Sequence, residues 1–221
     1  MQDSITFGYV LRYMPRNYDA IAWFYDRLAR VIFGRALINA QLFLLRAIIP
    51  GSDMLIVGGG TGWILEEIAK RHSSGLNITY IDASQKMIEL ARKRDVGANK
   101  VAFIAAPIEQ ALLAGPYDLV ITPFFFDNFN DNTMRHIFTA VDSRLGVDGV
   151  WLYCDFRNTE VLWQKVLLRV MYLFFRVTCG VEATMLPDAE GCFRDAGYRG
   201  DGRALFAHGF IVSEIYRRGS Q

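Results

Sequence analysis

The chain has 221 residues, of which 52% are hydrophobic and 21% charged, which suits one well-filled globular core and excludes a disordered chain. The formal net charge of +1 excludes a broad electrostatic footprint for nucleic acid. Three cysteines, Cys154, Cys179 and Cys192, are odd in number and widely spaced, so they predict neither a disulfide framework nor a metal cluster and suggest a reducing cytoplasm.

Residues 1–50 read as helical, without a secretory signal, and Pro50-Gly51 ends them. Strand and helix patterns then alternate. Strands are expected at 54–57, 77–81, 101–105, 117–122 and 149–156. Helices are expected at 62–72, from Ser84 as cap to about residue 94, and at 130–144. Such alternation predicts a parallel sheet covered on both faces. A long apolar helix follows at about 159–178, then a short helix near 188–196. Two extended runs, 198–207 and 209–217, predict a closing hairpin turning at His208-Gly209. Two greasy segments, 31–49 and 161–177, are interrupted by Arg35, Asn39, Gln41 and Arg46, and by Gln164, Lys165, Arg169 and Arg176. No transmembrane segment is therefore expected.

The most informative residues are the run MLIVGGGTG at 54–62 and Tyr80-Ile81-Asp82 about twenty residues later. A strand running into a glycine turn lets backbone approach a ligand. A carboxylate closing the next strand can accept both hydroxyls of a ribose. Gly58, Gly60 and Gly62 follow G-x-G-x-G. The dinucleotide fingerprint G-x-G-x-x-G would need its third glycine at Trp63, which argues against a nicotinamide or flavin enzyme, and the Gly-Lys-Ser/Thr of a phosphate-binding loop is absent.

Four segments in this order resemble the class I S-adenosylmethionine-dependent methyltransferases: LIVGGGTGWILEEI, YIDASQKMIELARKR, YDLVITPFFFDNF and LGVDGVWLYCDF. The resemblance covers about residues 50–157. It implies an α/β, Rossmann-like three-layer α/β/α fold, with a seven-stranded, mostly parallel sheet and an antiparallel last strand. It implies a single domain over 1–221, with a helical cap at 1–50, a cofactor-binding core at 51–157, and a lid helix with closing strands at 158–221. The implied cofactor is S-adenosyl-L-methionine. Carried over by position, Gly58, Gly59, Gly60 and Gly62 would line its amino-acid part and Asp82 would hold the ribose. Ala83 and Met87 would lie against the adenine, and Ala106, Pro107 and Ile108 would edge it from the other side. Thr122, Pro123 and Phe124 would face the methionine end. The chain departs from the family in two places: an acid common two residues before the first glycine is Ile56, and one common after the third strand is Ala106, with Glu109 nearby.

The N-terminal run YDAIAWFYD at 18–26 is similar to quinone-biosynthesis-type small-molecule methyltransferases. That likeness implies that Tyr18 and Tyr25 approach the sulfonium, where an aromatic face favours a cation. A helix packing its aromatic stripe on the core is the other reading. For the helix at 159–178 three readings stand: a buried helix whose solvent face carries Lys165, Arg169 and Arg176, a lid over an apolar acceptor, and docking on a membrane surface, against which its narrow polar face counts. His72, His136 and His208 read as structural or solvated. Asp127, after the fourth strand, is the candidate base or acceptor anchor, with helix capping as its alternative, and Asp155 ends the fifth strand at the same edge. The expected function is methyl transfer to a small, apolar or aromatic acceptor. A catalytically degenerate fold that binds a nucleoside or a protein is the competing expectation.

Overall fold

The computed structural model describes residues 33–179 and 183–219. The run at 18–26, with Tyr18 and Tyr25, lies outside the described residues. Helix α1 (Ala36–Leu44) precedes β1 (Asp53–Val57), α2 (Trp63–Arg71), β2 (Ser74–Asp82), α3 (Gln85–Ala91) and β3 (Ala98–Ala105). Then come β4 (Tyr117–Pro123), α4 (Asp131–Asp142), β5 (Leu145–Phe156), α5 (Leu162–Cys179), α6 (Ala189–Asp195), β6 (Tyr198–Phe206) and β7 (Ile211–Arg218). The strands form one seven-stranded sheet in the order β3-β2-β1-β4-β5-β7-β6. β1 through β5 pair in parallel, and β7 runs antiparallel to both β5 and β6.

Burial on both faces explains why the central strands read as unbroken apolar runs. Along β1, Met54 and Ile56 join one core with Leu44 of α1, Ile64 of α2 and Ile88 of α3. Leu55 and Val57 join the other with Met134 and Phe138 of α4 and Phe193 of α6. The second core is aromatic. Trp151 stacks on Phe138 with ring centroids 4.8 Å apart and meets Phe193 edge-on at 4.9 Å. Serine at 213 on β7 fastens α1 to the sheet, its hydroxyl donating to the Ala40 carbonyl at 2.8 Å.

The element boundaries follow from local chemistry. Ser84, Asn130 and Asp188 cap α3, α4 and α6, each side chain accepting an N–H from three residues on. Helix α3 stops at Ala91, short of the expected residue 94, because Arg94 turns back and donates from Nε to the Thr61 carbonyl at 2.9 Å. β5 starts at Leu145, four residues earlier than expected. Leu145 pairs with Tyr117, and the ladder resumes at Val150 after an irregularity.

Gly62 caps α2 at φ +79°, and a Cβ there would lie 2.6 Å from the Ala91 Cα. This glycine is where α2 meets α3. Gly75, at φ +90°, has nothing within 4 Å of a Cβ position. Gly62→Ala therefore combines left-handed strain with a backbone collision, whereas Gly75→Ala carries the strain alone. The strain is about 1–2 kcal/mol, or roughly 2–8 °C in Tm for a chain this size. Thermal unfolding is expected to show that loss for Gly75→Ala and a clearly larger one for Gly62→Ala. Equal losses would deny Gly62 its packing role.

Candidate functional site

The carboxyl ends of β1, β2, β4 and β5 open into a cavity of about 450 Å³. Parallel strands place their loops at one edge, so residues far apart in sequence converge there. Gly58, Gly59 and Gly60 form one wall, with Thr61 and Trp63 beyond them. Asp82, Ala83 and Met87 form the next wall, from the end of β2 into α3. Ala106, Pro107, Ile108 and Glu109 follow β3 along the rim, and Pro123 and Phe124 follow β4.

The glycine turn is braced from four sides. The Gly58 N–H donates to the Ile81 carbonyl at 2.9 Å, and the Gly60 N–H donates to Asp82 Oδ2 at 2.9 Å. The Tyr80 hydroxyl donates to the Gly60 carbonyl at 3.0 Å, and Arg94 holds Thr61. Tyr80 reaches that position only because residue 59 has no side chain, since a Cβ would overlap its ring and hydroxyl. The other Asp82 oxygen accepts the Ser84 N–H at 2.9 Å. Both carboxylate oxygens are thus tied to backbone amides of the loops that line the cavity.

Two expected lining residues lie elsewhere. Gly62 serves the α2–α3 contact rather than the cavity wall. Thr122 is fully buried, and its Oγ1 accepts from Trp151 Nε1 at 2.9 Å. The side chains of a strand alternate, so Thr122 turns into the aromatic core while Pro123 turns to the cavity.

Asp127 lines the cavity, and Asp155 stands behind it. Asp155 is 1% exposed. Its Oδ2 accepts the N–H groups of Phe126 (3.1 Å) and Asp127 (3.2 Å), and its Oδ1 accepts that of Phe156 (2.8 Å). It therefore shapes the short turn Phe126–Asn128. Burial pushes the Asp155 carboxyl up to about 7, against the pull of those amides. Burial, reinforced by the Asp155 charge, also lifts Asp127 well above the usual carboxylate range. Asn128 Nδ2 donates to Asp127 Oδ1 at 2.8 Å, and the Tyr172 hydroxyl of α5 donates to the Asp127 carbonyl at 3.3 Å.

The remaining lining residues are not named from the sequence, although a lid is one reading of the helix at 159–178. Phe33, Leu37 and Gln41 come from the α1 segment, and Phe125 and Phe129 from the turn after β4. Phe156 ends β5, and Leu167, Met171, Phe174 and Phe175 come from α5. The spacing 167-171-174 was the available signal for that last face. Phe124 takes φ +50°, rare for an aromatic residue, and packs on Phe156 at 5.4 Å. The donor set fits S-adenosylmethionine. Asp82 offers paired acceptors for ribose, and Ala83, Met87 and Ile108 form an apolar slot for a flat base. Acids and aromatic rings, with no lysine, arginine or histidine among the described lining residues, suit a sulfonium cation.

Raised carboxyls reverse the usual link between stability and pH. A group whose folded pKa lies above its unfolded value keeps its proton longer in the folded state, so stability falls as pH rises between the two values. For Asp155 that window runs from about 4 to about 7. Unfolding is expected to become easier across it, and Asp127→Asn, which removes one of the two charges, is expected to make the slope shallower. Denaturant titrations at stepped pH check this, and a rise in stability across the window would contradict it.

Residues 54–149 match the family model described as a methyltransferase domain. Over 143 residues the chain is 33% identical to the malonyl-[acyl-carrier protein] O-methyltransferase of Acetivibrio thermocellus, covering 64% of this chain and 46% of that protein. It is 36% identical over 107 residues to the protein of the same name from Priestia megaterium, covering 48% and 37% of the two chains. The chain thus spans less than half the length of these curated relatives. Among solved structures it shares its fold with the 1,6-didemethyltoxoflavin-N1-methyltransferase of Burkholderia thailandensis. The TM-score is 0.63 at 13% identity, over 97% of this chain and 90% of that one. With the strand order, the glycine turn and the acid closing β2, these matches support a class I S-adenosylmethionine-dependent methyltransferase domain, with the family model matched over residues 54–149.

Proposed function

We propose that the protein transfers a methyl group from S-adenosylmethionine to a small, apolar or aromatic acceptor. The observation that carries this reading is the cavity wall. One end has the glycine turn and Asp82, and the other is closed by phenylalanines and the aliphatic face of α5. S-adenosylmethionine, when bound, supplies a methyl carbon already activated by its sulfonium. The chain's own residues then have to align the acceptor and keep water out. Phe124, Phe156, Phe174 and Phe175 exclude water. Asp127 is the carboxylate that the described residues place on the β4 side of the cavity, and we assign it to anchor the acceptor's polar atom and to take its proton when the acceptor arrives protonated.

The curated relatives are named for malonyl-[acyl-carrier protein], an acceptor that carries a carboxylate. The absence of a cation among the described lining residues favours a neutral acceptor here. The reading includes one domain over residues 1–221, with 158–221 as lid helix and closing strands, and a cytoplasmic location suggested by cysteine usage.

Calorimetric titration with S-adenosylmethionine and S-adenosylhomocysteine tests the cofactor assignment, with NAD as control. Micromolar binding of the sulfur ligands, about −8 kcal/mol, is expected. Asp82→Ala is expected to weaken it by about 10- to 100-fold, the worth of hydrogen bonds to a charged group. No binding of either sulfur ligand would end the proposal and turn attention to protein partners.

A panel of phenols, quinols and malonyl thioesters tests the acceptor class, with turnover expected only for the first two. Turnover of the wild-type protein is expected to rise with pH as the Asp127 carboxyl, held well above the usual carboxylate range by burial and by the Asp155 charge, gives up its proton. Asp127→Asn is expected to lower kcat by about 10²- to 10⁴-fold and to remove that rise. An unchanged profile in the variant would assign Asp127 to architecture alone.

A further inference from the structure

Helix α5 has two unlike faces. Leu167, Met171, Phe174 and Phe175 face the cavity. On the outer side Leu162 (76% exposed), Val166, Leu173 (64%) and Val177 (78%) form a solvent-exposed stripe, with Val170, which also lines the cavity, at its edge. The spacing 162-166-170-173-177 keeps all five within one quarter of the helix circumference. Over 18 residues the helix is about 27 Å long at 1.5 Å per residue, and the stripe runs almost its whole length. Lys165, Arg169 and Arg176 lie along one border of the stripe, all exposed. Lys165 is bridged to Glu160 at 2.7 Å, an exposed pair that is weakly held. Trp163, half exposed, sits at the N-terminal end. The solvent face is thus aliphatic with a basic border, and not the basic face that the sequence suggested.

We propose that α5 docks on an anionic lipid surface, lying in the plane of the interface. Leu162, Val166, Leu173 and Val177 enter the acyl boundary, and Lys165, Arg169 and Arg176 meet lipid phosphates. No described helix is long and apolar enough to cross a membrane, so the contact is peripheral. Lipid fits better than a protein partner. Protein interfaces draw their binding energy from aromatic and arginine anchors in pockets, whereas this stripe is a smooth aliphatic strip with a row of cations on one side. A single tryptophan at its end suits the headgroup level. The cavity would then lie one helix width from lipid, about 10 Å. The inference does not depend on the acceptor assignment, because it concerns the outer face of α5 and is read by binding alone.

Co-sedimentation of the full chain with vesicles tests it, using phosphatidylcholine alone and phosphatidylcholine mixed with phosphatidylglycerol. Retention on the mixed vesicles is expected, weakening with added salt. Arg169→Gln with Arg176→Gln is expected to cut the partition about 25-fold, about fivefold for each charge near the surface. Leu173→Glu is expected to abolish retention, and since that position is exposed the variant should unfold at the wild-type temperature. No retention on either vesicle, or equal retention of all variants, would overturn the proposal. Equal retention on uncharged vesicles would overturn its electrostatic half. If retention is absent and sedimentation velocity shows self-association that Leu173→Glu abolishes, a second copy of the chain covers this face and the lipid assignment falls.

Discussion

Parallel strands buried on both faces leave little room for charged side chains along the strands except at the edge where they end. That constraint organises most of what has been described. The amides beyond these strand ends still need partners, and acids placed at the ends of β2 and β5 accept from them. Asp82 takes the amides of Gly60 and Ser84. Asp155 takes those of Phe126, Asp127 and Phe156. One carboxylate shapes the glycine turn and the other the turn after β4. The cavity is the space between these two turns. Removing either acid would leave backbone donors unpaired as well as deleting a charge, so binding and folding are joined at these positions.

The family's usual acid before the first glycine is replaced here by Ile56. Its side chain is fully buried, in the core shared with Ile64 and Leu44. An isoleucine there costs the cavity nothing it lines and adds apolar contact between β1 and the helices. Ala106 does line the cavity, and its N–H donates to the Asp82 carbonyl at 3.1 Å. The rim at this point is therefore held by backbone, while Glu109, three residues on, also lines the cavity.

Much of the fold was legible because its signals are local. The strand-turn-helix at 54–71, the Ser84, Asn130 and Asp188 caps and the hairpin at His208-Gly209 are each written in a few adjacent residues. The loop residues at β-strand ends were legible for the same reason. What was not legible depended on orientation. Which way Thr122 points follows from the register of β4 against β5 and from a hydrogen bond to Trp151, a residue 29 positions away. Gly62 looked like a ligand glycine but answers to Ala91 of another helix. For α5, periodicity showed two faces, and only packing showed which was buried.

Phe124 sets backbone against side chain at one residue. Its left-handed backbone is strained for any side chain with a Cβ, and its amide is committed to the Cys154 carbonyl, so the chain cannot relax it locally. Glycine or asparagine at 124 would relieve about 1 kcal/mol of that strain but would give up the ring's packing on Phe156, so neither is expected to stabilise the protein. Either would also remove a ring from the cavity wall and let water in beside the reacting atoms. Two opposed demands meet at position 124, a backbone that favours glycine and a side chain whose contacts favour a ring, and only the second shapes the cavity wall.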